Sequence, residues 1–102
     1  MWILRSDRSG DDSLTFRIPP GSIKTIGRAQ GADFIVDAAL VSRVHCRLEA
    51  DGDALKVVDL SSTNGTFVNN RRIEQAPLVN GDRLRVGRVE LTVARAAIAA
   101  SS

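Results

Sequence analysis

No segment of ten or more residues in this chain carries an apolar stripe at helical spacing with caps at its ends. Apolar residues come instead in short runs, and several of them alternate with polar ones. Leu14-Thr15-Phe16-Arg17-Ile18 and Cys46-Arg47-Leu48-Glu49 are the clearest cases. A period of two turns one side of a strand to a core and the other to water. On this pattern nine strands are expected: Trp2–Arg5, Leu14–Ile18, Lys24–Ile26, Phe34–Val36, Val44–Glu49, Ala54–Leu60, Thr66–Val68, Arg83–Val86 and Val89–Val93. Turn chemistry separates them. Asp51-Gly52, Asn69-Asn70, Asn80-Gly81 and Gly87-Arg88 can each close a hairpin, because Asn and Gly tolerate positive φ. Gly10–Ser13 reads as a further turn. Pro19-Pro20-Gly21 ends the second strand, since proline cannot donate to a ladder. Many short strands with close turns point to an all-β antiparallel sandwich or barrel. No βαβ pattern is present, which argues against a nucleotide-binding α/β fold.

The chain has 102 residues, enough for one domain with its own core. No apolar run approaches the roughly 20 residues of a membrane span. The start, Met1-Trp2-Ile3-Leu4-Arg5, lacks the basic and apolar regions of a signal peptide. Cys46 is the single cysteine, which excludes an intramolecular disulfide and a cysteine-based metal cluster. An intracellular protein is expected, cytoplasmic in the first instance. The tail from Ala96 to Ser102 changes composition and reads as a linker or a frayed end, so the domain is expected over residues 1–95.

Fourteen Lys and Arg against twelve Asp and Glu leave a net charge of +2. That is too small for the basic footprint of a dedicated DNA binder. The basic set is nevertheless almost all arginine, with only Lys24 and Lys56 as exceptions. A guanidinium is a planar fork suited to phosphate or carboxylate. Codon bias accounts for much of that excess, so only particular arginines can carry a functional argument. Arg71-Arg72, Arg83, Arg85 and Arg88 read as solvated strand faces. The aromatic residues Trp2, Phe16, Phe34 and Phe67 read as core.

Three loops are chemically unusual. Gly27-Arg28 follows a strand and places a guanidinium at the sheet rim. Val41-Ser42-Arg43-Val44-His45 gathers a hydroxyl, a guanidinium and an imidazole. Ser61-Ser62-Thr63-Asn64-Gly65-Thr66 is a polar loop between apolar runs. The order Gly27-Arg28, Ser42-x-x-His45, Asp59-Leu60, Asn64-Gly65, Asn69 and Asn80-Gly81-Asp82 resembles the forkhead-associated (FHA) domain family over about 90 residues. The resemblance implies a two-sheet antiparallel β-sandwich of about eleven short strands. It also implies phosphothreonine binding through loops at one end, a form of phospho-motif recognition by arginine.

Carried onto this chain, the resemblance gives Arg28 the grip on the phosphate. Ser42 donates its hydroxyl, Arg43 takes a second phosphate-contacting position and Thr63 contacts the phosphate from the opposite loop. Asn64 bonds the peptide backbone beside the phosphothreonine. Gly27, His45, Gly65 and Asn69 support the loops. The turn Asn69-Asn70 departs from the family's usual Asn-Gly. The preference for threonine over serine is likewise implied by the family alone. No cofactor and no metal is expected. The expected partner is a phosphothreonine-containing protein, downstream of a Ser/Thr kinase.

Other readings of the same residues are weaker. Ser42 with His45 lacks the Gly-x-Ser-x-Gly elbow of a hydrolase. His45 and Cys46 are neighbours on a strand and face opposite ways, which disfavours a zinc site. No Gly-x-x-x-x-Gly-Lys-Ser/Thr loop is present, so an NTPase is disfavoured. Asn64-Gly65-Thr66 is formally a glycosylation sequon, but nothing indicates secretion. Two binding alternatives stand beside phosphothreonine recognition: a phosphate-independent interaction domain of the same fold, and a weak nucleic-acid binder using the scattered arginines.

Overall fold

Buried apolar side chains alternate along nearly every strand, and their spacing builds two sheets facing one another. The computed structural model describes residues 1–6 and 14–96; the Gly10–Ser13 turn and all of the tail beyond Ala96 lie outside them. Eleven strands are described: β1 (Trp2–Ser6), β2 (Thr15–Ile18), β3 (Ile23–Gly27), β4 (Phe34–Ile35), β5 (Cys46–Asp51), β6 (Ala54–Asp59), β7 (Thr66–Val68), β8 (Arg71–Ile73), β9 (Gln75–Leu78), β10 (Arg83–Val86) and β11 (Val89–Arg95). They form a six-stranded sheet in the order β2-β1-β11-β10-β7-β8 and a five-stranded sheet in the order β4-β3-β5-β6-β9. The core between them is filled by Leu4, Ile18, Ile26, Leu48, Leu55, Val57, Leu84 and Leu91, all at most 1% exposed. Burying such side chains stabilises the sandwich by about 1.5–3 kcal/mol each.

The all-β sandwich of about eleven strands is thus observed, with several differences in detail. The short strand β4 runs parallel to β3, with Ile26 opposite Phe34, while the other described pairs are antiparallel. Strands β8 and β9 were not expected. Arg71-Arg72-Ile73 has little apolar character, and Pro77 disguises β9. That strand is the edge of its sheet, where a missing N–H costs nothing. The turn at Asn80-Gly81 closes no hairpin. It carries the chain from β9 in one sheet to β10 in the other, because Leu78 is already committed opposite Leu55.

Phe67 is not in the core. Thr66 and Val68 turn inward on either side of it, and Thr66 does so to donate its hydroxyl to Asp59 Oδ1 at 2.7 Å. Phe67 lies on the outer face, covered by the Arg85 guanidinium at 4.3 Å from the ring centroid. Arg85 is therefore half-buried rather than fully solvated. Strand β5 begins at Cys46 and not at Val44, because the chain twists first to bury His45.

Candidate functional site

Three connections meet at one end of the sandwich: residues 28–33 after β3, residues 36–45 before β5, and residues 60–65 between β6 and β7. Register requires this meeting. The end of β3 lies beside the start of β5, and that start lies beside the end of β6.

His45 ties the three together. It is fully buried. Its Nδ1 accepts the Ser42 N–H at 3.0 Å, so Nε2 carries the ring proton and donates to the Gly65 carbonyl at 2.8 Å. Its own N–H donates to the Ile26 carbonyl and its carbonyl accepts from Leu60 N–H. Both ring nitrogens are thus spent on backbone, and neither reaches the Ser42 hydroxyl as a base would.

Backbone contacts fix the first two loops against each other. Arg28 N–H donates to the Ser42 carbonyl at 2.9 Å, and Ala29 N–H to the Arg43 carbonyl at 3.1 Å. Gly27 makes this approach feasible, since a Cβ there would overlap the Arg43 carbonyl. The second and third loops are joined by side chains. Thr63 N–H donates to Ser42 Oγ at 3.0 Å, and Asn64 Nδ2 donates to the Leu40 carbonyl at 3.0 Å. The Ser42 hydroxyl is an acceptor in that bond, so its proton remains available to a ligand. Gly65 has φ +90, a region other residues rarely enter.

Asp59 anchors the third loop from beneath. It accepts from Ser62 Oγ, Ser62 N–H and Thr66 Oγ1, and Ser62 Oγ in turn accepts from Gly65 N–H. Partial burial pushes the Asp59 carboxyl up, but the hydrogen bonds from Ser62 and Thr66 outweigh it and hold the group below its ordinary value. Cys46, beside His45, is wholly buried, and desolvation pushes its thiol up to about 12. It behaves as a small core residue. Among the described residues no three His, Cys, Asp or Glu side chains cluster as metal ligands.

The result is an open cleft of about 610 Å³ lined by Arg28, Ser42, Arg43, Thr63 and Asn64, together with Leu40, Val41, Val44 and Ser61. All five residues expected to bind ligand therefore share one surface. Arg28, Arg43, Thr63 and Asn64 are exposed there. Neither guanidinium forms an ion pair among the described residues. Of the four support residues, Gly27, His45 and Gly65 lie in or under the loops. Asn69 does not. It sits at the far end of β7, where its side chain bonds Asp82 and the Arg83 N–H. It therefore braces the opposite end of the sandwich, a correction to its expected role. Sequence reasoning missed Leu40, which looks like a core residue. It is 45% exposed at φ +73, strained for a leucine, and held there through its carbonyl by Asn64.

The chain is 37% identical over 99 residues to the ABC transporter ATP-binding/permease protein Rv1747 of Mycobacterium tuberculosis, a match covering 97% of this chain and 11% of that protein. It is 37% identical over 94 residues to the FHA domain-containing protein FhaA of the same organism, covering 83% of this chain and 18% of the relative. The chain thus spans a small part of these relatives. The FhaA FHA domain, in its crystal structure complexed with the intracellular domain of Rv3910, superposes with a TM-score of 0.83 at 35% identity, covering 91% of this chain and 99% of that one. A structure from a structural and functional analysis of phosphothreonine-dependent FHA domain interactions gives a TM-score of 0.82 at 34% identity, covering 95% and 98%. The sequence model of the FHA domain matches residues 24–87, the stretch that holds all three loops, and the chain belongs to the FHA domain family.

Proposed function

We propose that this chain is a non-catalytic module that binds phosphothreonine-containing segments of partner proteins in the cleft between its three loops. One observation carries the reading: two guanidiniums and a hydroxyl proton without partners among the described residues converge with an exposed Thr-Asn pair on one cleft over a fixed backbone. A phosphothreonine brings a charge of about −1.5 to −2 and three strong acceptor oxygens. Arg28 and Arg43 supply forked cationic donors, and Ser42 supplies a third donor at the cleft floor. Thr63 adds its hydroxyl from the opposite loop. Asn64 keeps Oδ1 and one N–H for the peptide backbone beside the phosphate, since a single Nδ2 hydrogen holds Leu40. Two or three charge-assisted bonds of about 1.5–3 kcal/mol each supply much of a micromolar affinity of about −8 kcal/mol. The relative studied for phosphothreonine-dependent interactions supports the ligand class. In this reading a protein kinase directed at threonine acts upstream and the interaction takes place inside the cell. Among the described residues no helix is long and apolar enough to cross a membrane.

The test is fluorescence anisotropy with a degenerate phosphothreonine peptide library, beside phosphoserine and unmodified threonine libraries. The expected result is binding confined to phosphothreonine, weakened tenfold to a hundredfold in Arg28→Ala with the melting temperature unchanged. Binding blind to the phosphate, or undisturbed in Arg28→Ala, moves the chain to a phosphate-independent interaction domain.

A further inference from the structure

The six-stranded sheet shows solvent a face that phosphate recognition does not use. Register determines which side chains share it. One row crosses β8, β7, β10 and β11 as Arg72, Phe67, Arg85 and Glu90. The next crosses β10, β11, β1 and β2 as Arg83, Thr92, Arg5 and Thr15, and a third crosses β11, β1 and β2 as Ala94, Ile3 and Arg17. Among the described residues, five arginines therefore stand on this face against one glutamate. Arg5, Arg17, Arg72 and Arg83 are exposed. Glu90 pairs with Arg83 at 3.6 Å, yet the Arg83 side chain is still 63% exposed. Arg85 lies over Phe67, and its Nε is buried with no hydrogen-bond partner among the described residues. The outer face of the five-stranded sheet differs: Arg47 and Lys56 both pair with Glu49, and Asp51 follows on the same strand.

We propose that the outer face of the six-stranded sheet is a second contact surface, which takes an acidic segment of a partner protein. Guanidinium forks in fixed positions suit carboxylates, which they bind with two parallel bonds. A nucleic acid suits the face less well. Its one aromatic ring is capped by Arg85, so no base can stack on it, and Glu90 interrupts the path of a continuous phosphate chain. A lipid surface suits it less well too, since among the described residues the one large apolar side chain exposed on this side is Met1, at the rim before β1, and a single such side chain is a poor anchor. The strip begins at Arg72, beside Gly65 of the third loop: a Cβ on Gly65 would lie 2.8 Å from Arg72 Nε.

The test is a titration of the ¹⁵N-labelled chain with an unphosphorylated twelve-residue Asp/Glu peptide, with a single-stranded oligonucleotide of equal charge and phosphatidylserine vesicles as comparisons. Amide shifts are expected on β1, β7, β10 and β11 around Arg5, Phe67, Arg83 and Arg85. Affinity should fall tenfold or more in the double variant Arg5→Glu/Arg83→Glu, which retains wild-type binding to the phosphothreonine library. Arg17→Glu, on the edge strand β2, gives the same readout with about a threefold loss if the double variant folds poorly. Shifts confined to the cleft around Arg28 and Arg43, unchanged affinity in the folded variants, or tighter binding to the oligonucleotide or the vesicles would each overturn the proposal.

Discussion

The two ends of the sandwich are built with the same device and left in different states. At the end opposite the cleft, short polar side chains cap backbone groups and one another. Asn69 donates to Asp82 and accepts from Arg83 N–H, Asp82 accepts from Val79 N–H, and Asn80 accepts from Arg95 N–H. Arg95 in turn pairs with Asp53. At the cleft end, His45, Ser62, Asp59 and Asn64 hold backbone in the same way. There, however, the Arg28 and Arg43 guanidiniums and the Ser42 hydroxyl proton have no partner among the described residues. Donors left open over a backbone that is fixed are what a binding site needs, because ligand association then costs little reordering. At one end Asn69, Asn80, Asp82 and Arg95 are spent on the fold, and at the other Arg28, Arg43 and the Ser42 hydroxyl proton are not.

That contrast predicts which substitutions damage binding and stability together. The largest effect belongs to His45→Ala. It removes a fully buried ring and strands the Ser42 N–H and the Gly65 carbonyl without partners. Unfolding free energy should drop by about 2–5 kcal/mol, combining the cavity with the unsatisfied groups. The melting temperature should fall by at least about 10 °C. Phosphopeptide affinity should fall in the surviving folded fraction, because the buried link between the second and third loops is lost and only the bonds of Ser42 Oγ and Asn64 remain. Thermal melts with anisotropy at a temperature where the variant is folded check both. Lost binding with unchanged melting would make His45 a direct ligand contact and break the comparison.

A smaller effect is expected at Asp59, under the third loop. Its carboxyl titrates below the ordinary 3.8 in the folded protein, so the folded state binds fewer protons than the unfolded one. The stability it contributes is complete well above pH 3.8 and is lost as pH falls through the lower folded value. Asp33, through its bonds from Thr25, and Glu49, through Arg47, shift the same way and share that acid limb. Asp59→Asn should cost about 1–2 kcal/mol near neutral pH by weakening the bonds to Ser62 and Thr66. It should also flatten, without abolishing, the decline in stability between about pH 5 and 2. Denaturant melts across that range decide it. An unchanged acid slope would show that Asp59 does not hold the loop through its charge.

Much of this was readable beforehand, for a physical reason. Strands such as β2, β5 and β11 alternate strictly because one face must be buried, and that periodicity is written in the residue types. The cleft residues were readable because three polar loops stand out between apolar runs and the resemblance to FHA domains singles out Arg28, Ser42, Arg43, Thr63 and Asn64 within them. What escaped depends on partners far along the chain. Arg71–Ile73 becomes a strand only because β7 offers it an edge, and Phe67 turns outward because Thr66 has a carboxylate to meet inside. The strained Leu40 is set by Asn64, 24 residues away. Asn69 is given to the loops by the family resemblance alone, and the three residues of β7 carry it to the other end of the sandwich.

The smallest effect tests the end opposite the cleft. Asn69 has φ +50, and its side chain makes two exposed hydrogen bonds, at 3.0 Å to Asp82 and 3.0 Å from Arg83 N–H. Alanine there loses both and must hold a left-handed conformation it tolerates poorly. The cost should be about 0.5–1 kcal/mol, since both bonds are exposed, seen as a lower denaturant midpoint with an unchanged slope. Phosphopeptide affinity should not move, because β7 and the core above it separate this turn from Thr63 and Asn64. If Asn69→Ala weakens binding as much as it weakens the fold, the two ends are coupled through the sheet. The loops would then owe their shape to the whole sandwich, and not to His45 and Asp59 alone.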